Sequence, residues 1–92
     1  MTTIADTARP KLSPGVKLQF DRTRSQWILQ APERIFVLDE IAYEILQRCT
    51  GKTSISELIL ELSVTFEADA TEIEADVREL LGNLTEKRVV IT

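Results

Sequence analysis

Cys49 is the one thiol in this 92-residue sequence, and there is no histidine anywhere to activate it as a nucleophile. The missing imidazole also removes the commonest general base and the commonest metal ligand. A lone cysteine cannot assemble a zinc or iron–sulfur site within the chain, nor an internal disulfide. Glycine occurs only at Gly15, Gly51 and Gly82, too far apart to cradle a phosphate. Carboxylates are abundant, but acids on helix surfaces outside a cleft chiefly keep a small domain soluble. Glu33 beside Arg34 forms at most a local surface ion pair. The residue types therefore point away from an enzyme, a cofactor or a metal, and towards binding.

The elements that would position such a binding site follow from periodicity. Residues 1–8 lack periodicity and form an expected mobile tail, leaving residues 9–92 as a single domain. Pro10, Pro14 and Gly15 then impose an extended, turning lead-in. Residues 16–20 alternate apolar and polar, as a half-buried strand does, and residues 21–25 form a polar turn. Residues 27–30 make a second strand and residues 35–38 a third. Between them Pro32 suits the second position of a type I turn. Short connections favour sequential antiparallel pairing, so a three-stranded meander is expected, with its first and third strands as edges.

Three helices follow, which makes the fold class α+β. Asp39 caps the first, with Ile41, Ala42, Ile45, Leu46 and Cys49 on its apolar stripe and Gly51 as its stop. On that stripe Cys49 behaves as a small buried hydrophobe. Ser54 and Glu57 form a capping box for the second helix, whose apolar face is Ile55, Leu58, Ile59, Leu62 and Phe66. Asp69 and Glu72 open the third, with Ile73, Val77, Leu80, Leu81 and Leu84 along one side. Residues 87–91 are either a short terminal strand or an extended end.

The composition is that of an ordinary globular domain, 43% apolar and 28% charged. No apolar run approaches the ~20 residues of a membrane span, and the N-terminus lacks the basic start and apolar core of a secretory signal. With one cysteine, a cytoplasmic location is expected. The net charge of −4 is unevenly spread. Arg9, Lys11, Lys17, Arg22, Arg24 and Arg34 dominate the first third. Glu57, Glu61, Glu67, Asp69, Glu72, Glu74, Asp76 and Glu79 crowd the last two helices, against Arg78.

Binding then falls most naturally to the third strand. Residues 35–38 carry no charge, although an exposed edge normally does. Such an edge can accept an extended peptide as an added strand. The same edge can also pair with itself in a homodimer.

The residues on which this reading rests resemble the PqqD family, small peptide-binding proteins of pyrroloquinoline quinone (PQQ) biosynthesis. The likeness runs through Arg9-Pro10-Lys11-Leu12, Ser13-Pro14-Gly15-Val16, Trp27-Ile28-Leu29 and Ala31-Pro32-Glu33-Arg34. It continues through the helix start over residues 38–46, Cys49 with Gly51, and Asp76-Val77. Thr50 departs from the aspartate usual after that cysteine, and residues 87–89 lack a glycine often found there.

The resemblance implies a winged helix-turn-helix-like domain that acts as a RiPP recognition element, a reader of leader regions in ribosomally made, modified peptides. It implies a PqqA-type precursor peptide as ligand, and as partner a PqqE-type radical S-adenosylmethionine enzyme, which the domain serves as a non-catalytic peptide chaperone. In such domains the peptide adds to the third strand and packs on the third helix. Carried onto this chain, the peptide-binding residues are Arg34, Ile35, Phe36, Val37 and Leu38. On the helix they are Asp76 and Leu80 on one flank, and Arg78 and Leu81 on the other.

Two other classes can be weighed against this one. A winged-helix DNA-binding regulator would need a basic recognition helix, whereas Asp69, Glu72, Glu74, Asp76 and Glu79 surround Arg78 on the third helix. No nucleic acid is therefore expected, and no membrane. A phosphopantetheine carrier would need a serine in an Asp-Ser-Leu context, which Ser54, Ser56 and Ser63 lack.

Overall fold

The computed structural model describes residues 4–92. Strands β1 (Lys11–Leu12), β2 (Lys17–Asp21), β3 (Gln26–Ala31) and β4 (Arg34–Leu38) lead into α1 (Glu40–Gln47), α2 (Ile55–Thr65) and α3 (Ala70–Glu86), and β5 (Val90–Ile91) ends the chain. The expected antiparallel meander is present in the order β2-β3-β4, with three helices after it. Each strand begins or ends about a residue away from the sequence expectation. Asp21, assigned to the turn, pairs with Gln26, and its carboxylate accepts hydrogen bonds from the Thr23 and Arg24 amides.

The β3–β4 turn differs in type. Glu33 has φ of 67°, the left-handed conformation of the third position in a type II turn, where type I would hold φ negative. Pro32 still occupies the second position, which both types favour, so proline could not distinguish them.

Asp39 caps α1 by accepting from the Ala42 amide at 2.8 Å. Gly51 is not the helix stop. The C-cap is Arg48, and Gly51 (φ 83°) lies in the following turn, donating its amide to the Pro10 carbonyl. Arg48 then bridges Glu44 on α1 and Glu61 on α2, fixing the two helices to each other. The Ser54–Glu57 capping box is present at the start of α2. One hydrogen bond from the Ser54 amide and one from its hydroxyl hold the exposed Glu57 carboxyl below the usual carboxylate range.

The core lies where the inner face of the meander meets the helices. Leu29, Ile45, Leu46, Ile55, Leu58, Leu62, Val77 and Leu81 are fully enclosed there. Trp27 stacks on Tyr43 with ring centroids 4.2 Å apart and meets Phe20 edge-on at 5.3 Å, tying the sheet to α1.

Residues 1–3 of the expected tail lie outside the described residues; the rest of it docks. Ile4 is buried in the core. The Asp6 and Ala8 carbonyls accept the Ser56 and Ile55 amides, two of the donors that the first turn of α2 leaves unpaired. Arg78 donates to the Ile4 carbonyl and pairs with Asp6 and Glu74. Low periodicity marked this segment as a tail because its contacts are made one residue at a time, and no sequence period records them. Val90 and Ile91 form a strand with β1, which resolves the alternatives left open for the chain's end.

Two outcomes are expected. Ile4→Ala should destabilise the fold by about 2–5 kcal/mol, read as a lowered urea midpoint, whereas a free tail residue would change nothing. Burial pushes the Cys49 thiol up to about 12. A thiol reagent at mildly alkaline pH should leave Cys49 unmodified in the native protein and react with it in denaturant.

Candidate peptide-binding groove

The Pro32–Glu33 turn determines how β4 presents itself. A two-residue loop makes Ala31 and Arg34 the pair that exchanges both main-chain hydrogen bonds, and such pairs then alternate. Phe36 and Leu38 therefore bond back to β3. The amides and carbonyls of Ile35 and Val37 point to the outer edge, where no further strand pairs among the described residues.

Side chains alternate in the same rhythm. Phe36 and Leu38 share the inner face with Leu29 and Trp27, their partners on β3. Ile35 and Val37 share the outer face and are 59% and 58% exposed.

Beside the inner face of this edge runs a groove. Its first part, about 460 Å³, is bounded by Phe36, Val37, Leu38, Asp39, Ala42, Leu80 and Leu84, so β4 forms one wall and α3 the other. A second part, about 380 Å³, shares Asp39, Ala42 and Leu80 and continues between α1 and α3. Ile41, Ile45, Asp76, Glu79 and Asn83 line that continuation, giving it an apolar floor and an acidic rim.

Ala42 contributes by being small, leaving room between the strand and α3. Asp39 sits where the two parts join, with one carboxylate oxygen committed to the α1 cap. At the opposite end of β4, Arg34 borders a shallower hollow with Gln30, Ala31, Glu33 and Ile35. Along the strand the local charge thus changes from a balanced Glu33 and Arg34 at the turn to acidic at the α1 end.

The residues singled out in the sequence divide clearly. Arg34, Ile35, Phe36 and Val37 lie along the open edge, and Asp76 and Leu80 line the groove. Leu38 is buried and contributes the groove wall. Leu81 is fully enclosed in the core and offers no surface. Arg78 belongs to the other flank of α3, where Glu74 and Asp6 hold its guanidinium firmly protonated against the N-terminal segment.

The flank that sequence could not choose is therefore the one bearing Asp76 and Leu80. Ile41, Ala42, Glu79, Asn83 and Leu84 were missed. Only their positions relative to Leu80 on adjoining helices bring them into the groove, and a single helical stripe does not record that. Among the described residues no cluster of three or more acidic, histidine or cysteine side chains could hold a metal ion, and no helix is long and apolar enough to cross a membrane.

Comparison with known proteins places this arrangement. The family model for coenzyme PQQ synthesis protein D (PqqD) matches residues 26–90. A PqqA binding protein of Xanthomonas oryzae pv. oryzae is 49% identical over 90 residues, covering 98% of both chains. The PqqA binding protein of Xanthomonas axonopodis pv. citri is 48% identical over the same length and coverage.

Among solved structures, the chain resembles the solution NMR structure of the PqqD part of Methylobacterium extorquens PqqCD, described as a functional, stand-alone RiPP recognition element. The TM-score is 0.85 at 37% identity, covering 99% of this chain and 97% of that one. It also resembles the crystal structure of PqqD from Xanthomonas campestris, with a TM-score of 0.62 at 46% identity, covering 98% of this chain and 100% of the other. A family match spanning most of the domain and relatives near half identity over its whole length carry one conclusion: this chain belongs to the PqqD family.

Proposed function

We propose that this chain is a cytoplasmic, non-catalytic chaperone that binds a PqqA-type precursor peptide as an added strand on β4. It then presents that peptide to a PqqE-type radical S-adenosylmethionine enzyme in PQQ biosynthesis. The observation that carries the reading is an unpaired strand edge with an apolar groove beside it. Relatives named PqqA binding proteins support the choice of peptide.

The main-chain groups of Ile35 and Val37 would supply the affinity, and Phe36, Leu80, Leu84 and Ala42 would receive the peptide's inward side chains. Asp76 lies further along the same wall. The chain itself would perform no step of the reaction. Holding the peptide extended lowers the conformational entropy left to lose at the enzyme, and co-recruitment raises its local concentration.

An NMR titration with a PqqA-type peptide should move the amides of Arg34–Leu38 and those around Leu80. Shifts absent from both at millimolar peptide would sink the proposal. Val37→Pro removes one donor from the outer edge and should weaken binding about tenfold. Leu80→Ser, which leaves every main-chain donor in place, should weaken it too through the lost groove wall.

A further inference from the structure

The sheet's outer face, turned away from the helices, is uneven. Its residues align in rows across the strands: Lys17, Gln30 and Ile35 in one, and Gln19, Ile28 and Val37 in the next. At the β2 edge these rows end in Lys17 and Gln19, both exposed and polar, as an uncovered edge normally does. At the β4 edge the same rows end in Ile35 and Val37, which are among the most exposed large apolar side chains of the described residues. Only one end of each row is built for water.

Resting on the reading that a peptide adds to β4, we infer that the added strand must be apolar on both of its faces. Side chains directed to the inner face enter the groove against Leu80 and Leu84. Their immediate neighbours in the peptide point the other way and become the cross-strand partners of Ile35 and Val37, continuing the two rows. The recognised segment is thus a short run of consecutive apolar residues, rather than the alternating pattern that a groove-only site would select.

Charge fixes how that run is placed. Asp39, Asp76 and Glu79 border the groove near the α1 end of β4, and Arg34 stands at the turn end. A peptide with a basic side chain past the α1 end meets complementary charge there, whereas at the turn Arg34 stands beside Glu33 and selects neither sign. A second copy of this chain cannot fill the site in the same way, because its own Leu38 is already buried against its own helices. The occupant is therefore a peptide strand whose two faces are both free.

The test uses the full chain with a PqqA-type precursor peptide and the surface variants Ile35→Thr and Val37→Thr, which keep β-branching while removing apolar surface. The double variant should keep the wild-type amide spectrum away from β3 and β4, and its affinity should fall on the order of tenfold. Leu60→Thr, a similar loss of exposed apolar surface on α2, should not change affinity.

Binding by the double variant within about twofold of wild type would overturn the inference while leaving strand addition intact. Peptide-induced shifts lying away from β4 in the wild-type chain would instead remove the strand-addition reading itself. Sedimentation is the second measurement. A wild-type dimer that becomes monomeric in the double variant would assign this face to self-association and overturn the inference.

Discussion

The register across the Pro32–Glu33 turn governs everything at the β4 edge. Because side chains alternate with a period of two, a slip of one residue would send Ile35 and Val37 into the core and bring Phe36 and Leu38 out to solvent. The same slip would reverse which amides face outward, presenting those of Phe36 and Leu38 at the edge in place of those of Ile35 and Val37. Hydrophobicity alone specifies this register weakly, since four consecutive apolar residues satisfy either phase. The turn supplies what the strand lacks, with Pro32 fixing one dihedral and Glu33 accepting a left-handed conformation that carries a modest strain. Local strain at one residue thereby secures the orientation of the whole strand.

That dependence explains what the sequence revealed and what it concealed. The capping box at Ser54, the cap at Asp39 and the stripe on α3 are signals contained within one helix turn or one helix face, and the structure agrees with each. The strands were located by alternation and the meander by short connections. Turn type was not legible because proline is compatible with both alternatives. The groove's far wall was concealed for a different reason. Whether Leu80 or Leu81 reaches the surface depends on how α3 is rotated about its axis, and that rotation is set by packing of its buried Val77 and Leu81 with Leu58 and Leu62 of α2. The resemblance to a known family pointed to α3, which walls the groove in the structure, without resolving its flank.

The N-terminal segment contributes to the same rotation. Arg78 is held by the Ile4 carbonyl, Asp6 and Glu74 on the flank of α3 opposite the groove, so α3 is gripped from behind while its front remains available. The Asp6 and Ala8 carbonyls also complete the first turn of α2. A segment unremarkable in composition thus braces two helices. The acidic side chains along those helices repel polyanions, as like charges do.

The clasp between the two ends of the chain has a consequence for how the protein comes into being. Lys11 pairs with Ile91, Ser13 hydrogen-bonds the Arg88 carbonyl, and Ile4 reaches the far end of the order through Arg78. None of these contacts can form until the later partner, Arg78, Arg88 or Ile91, has left the ribosome. The meander can pair early and meet α1 through Trp27 and Tyr43, but the groove beside β4 must wait for the wall that α3 supplies. For that interval the nascent chain displays the same apolar β4 edge without the groove that later adjoins it. A peptide or chaperone present during synthesis would meet that edge before the rest of the fold has closed around it.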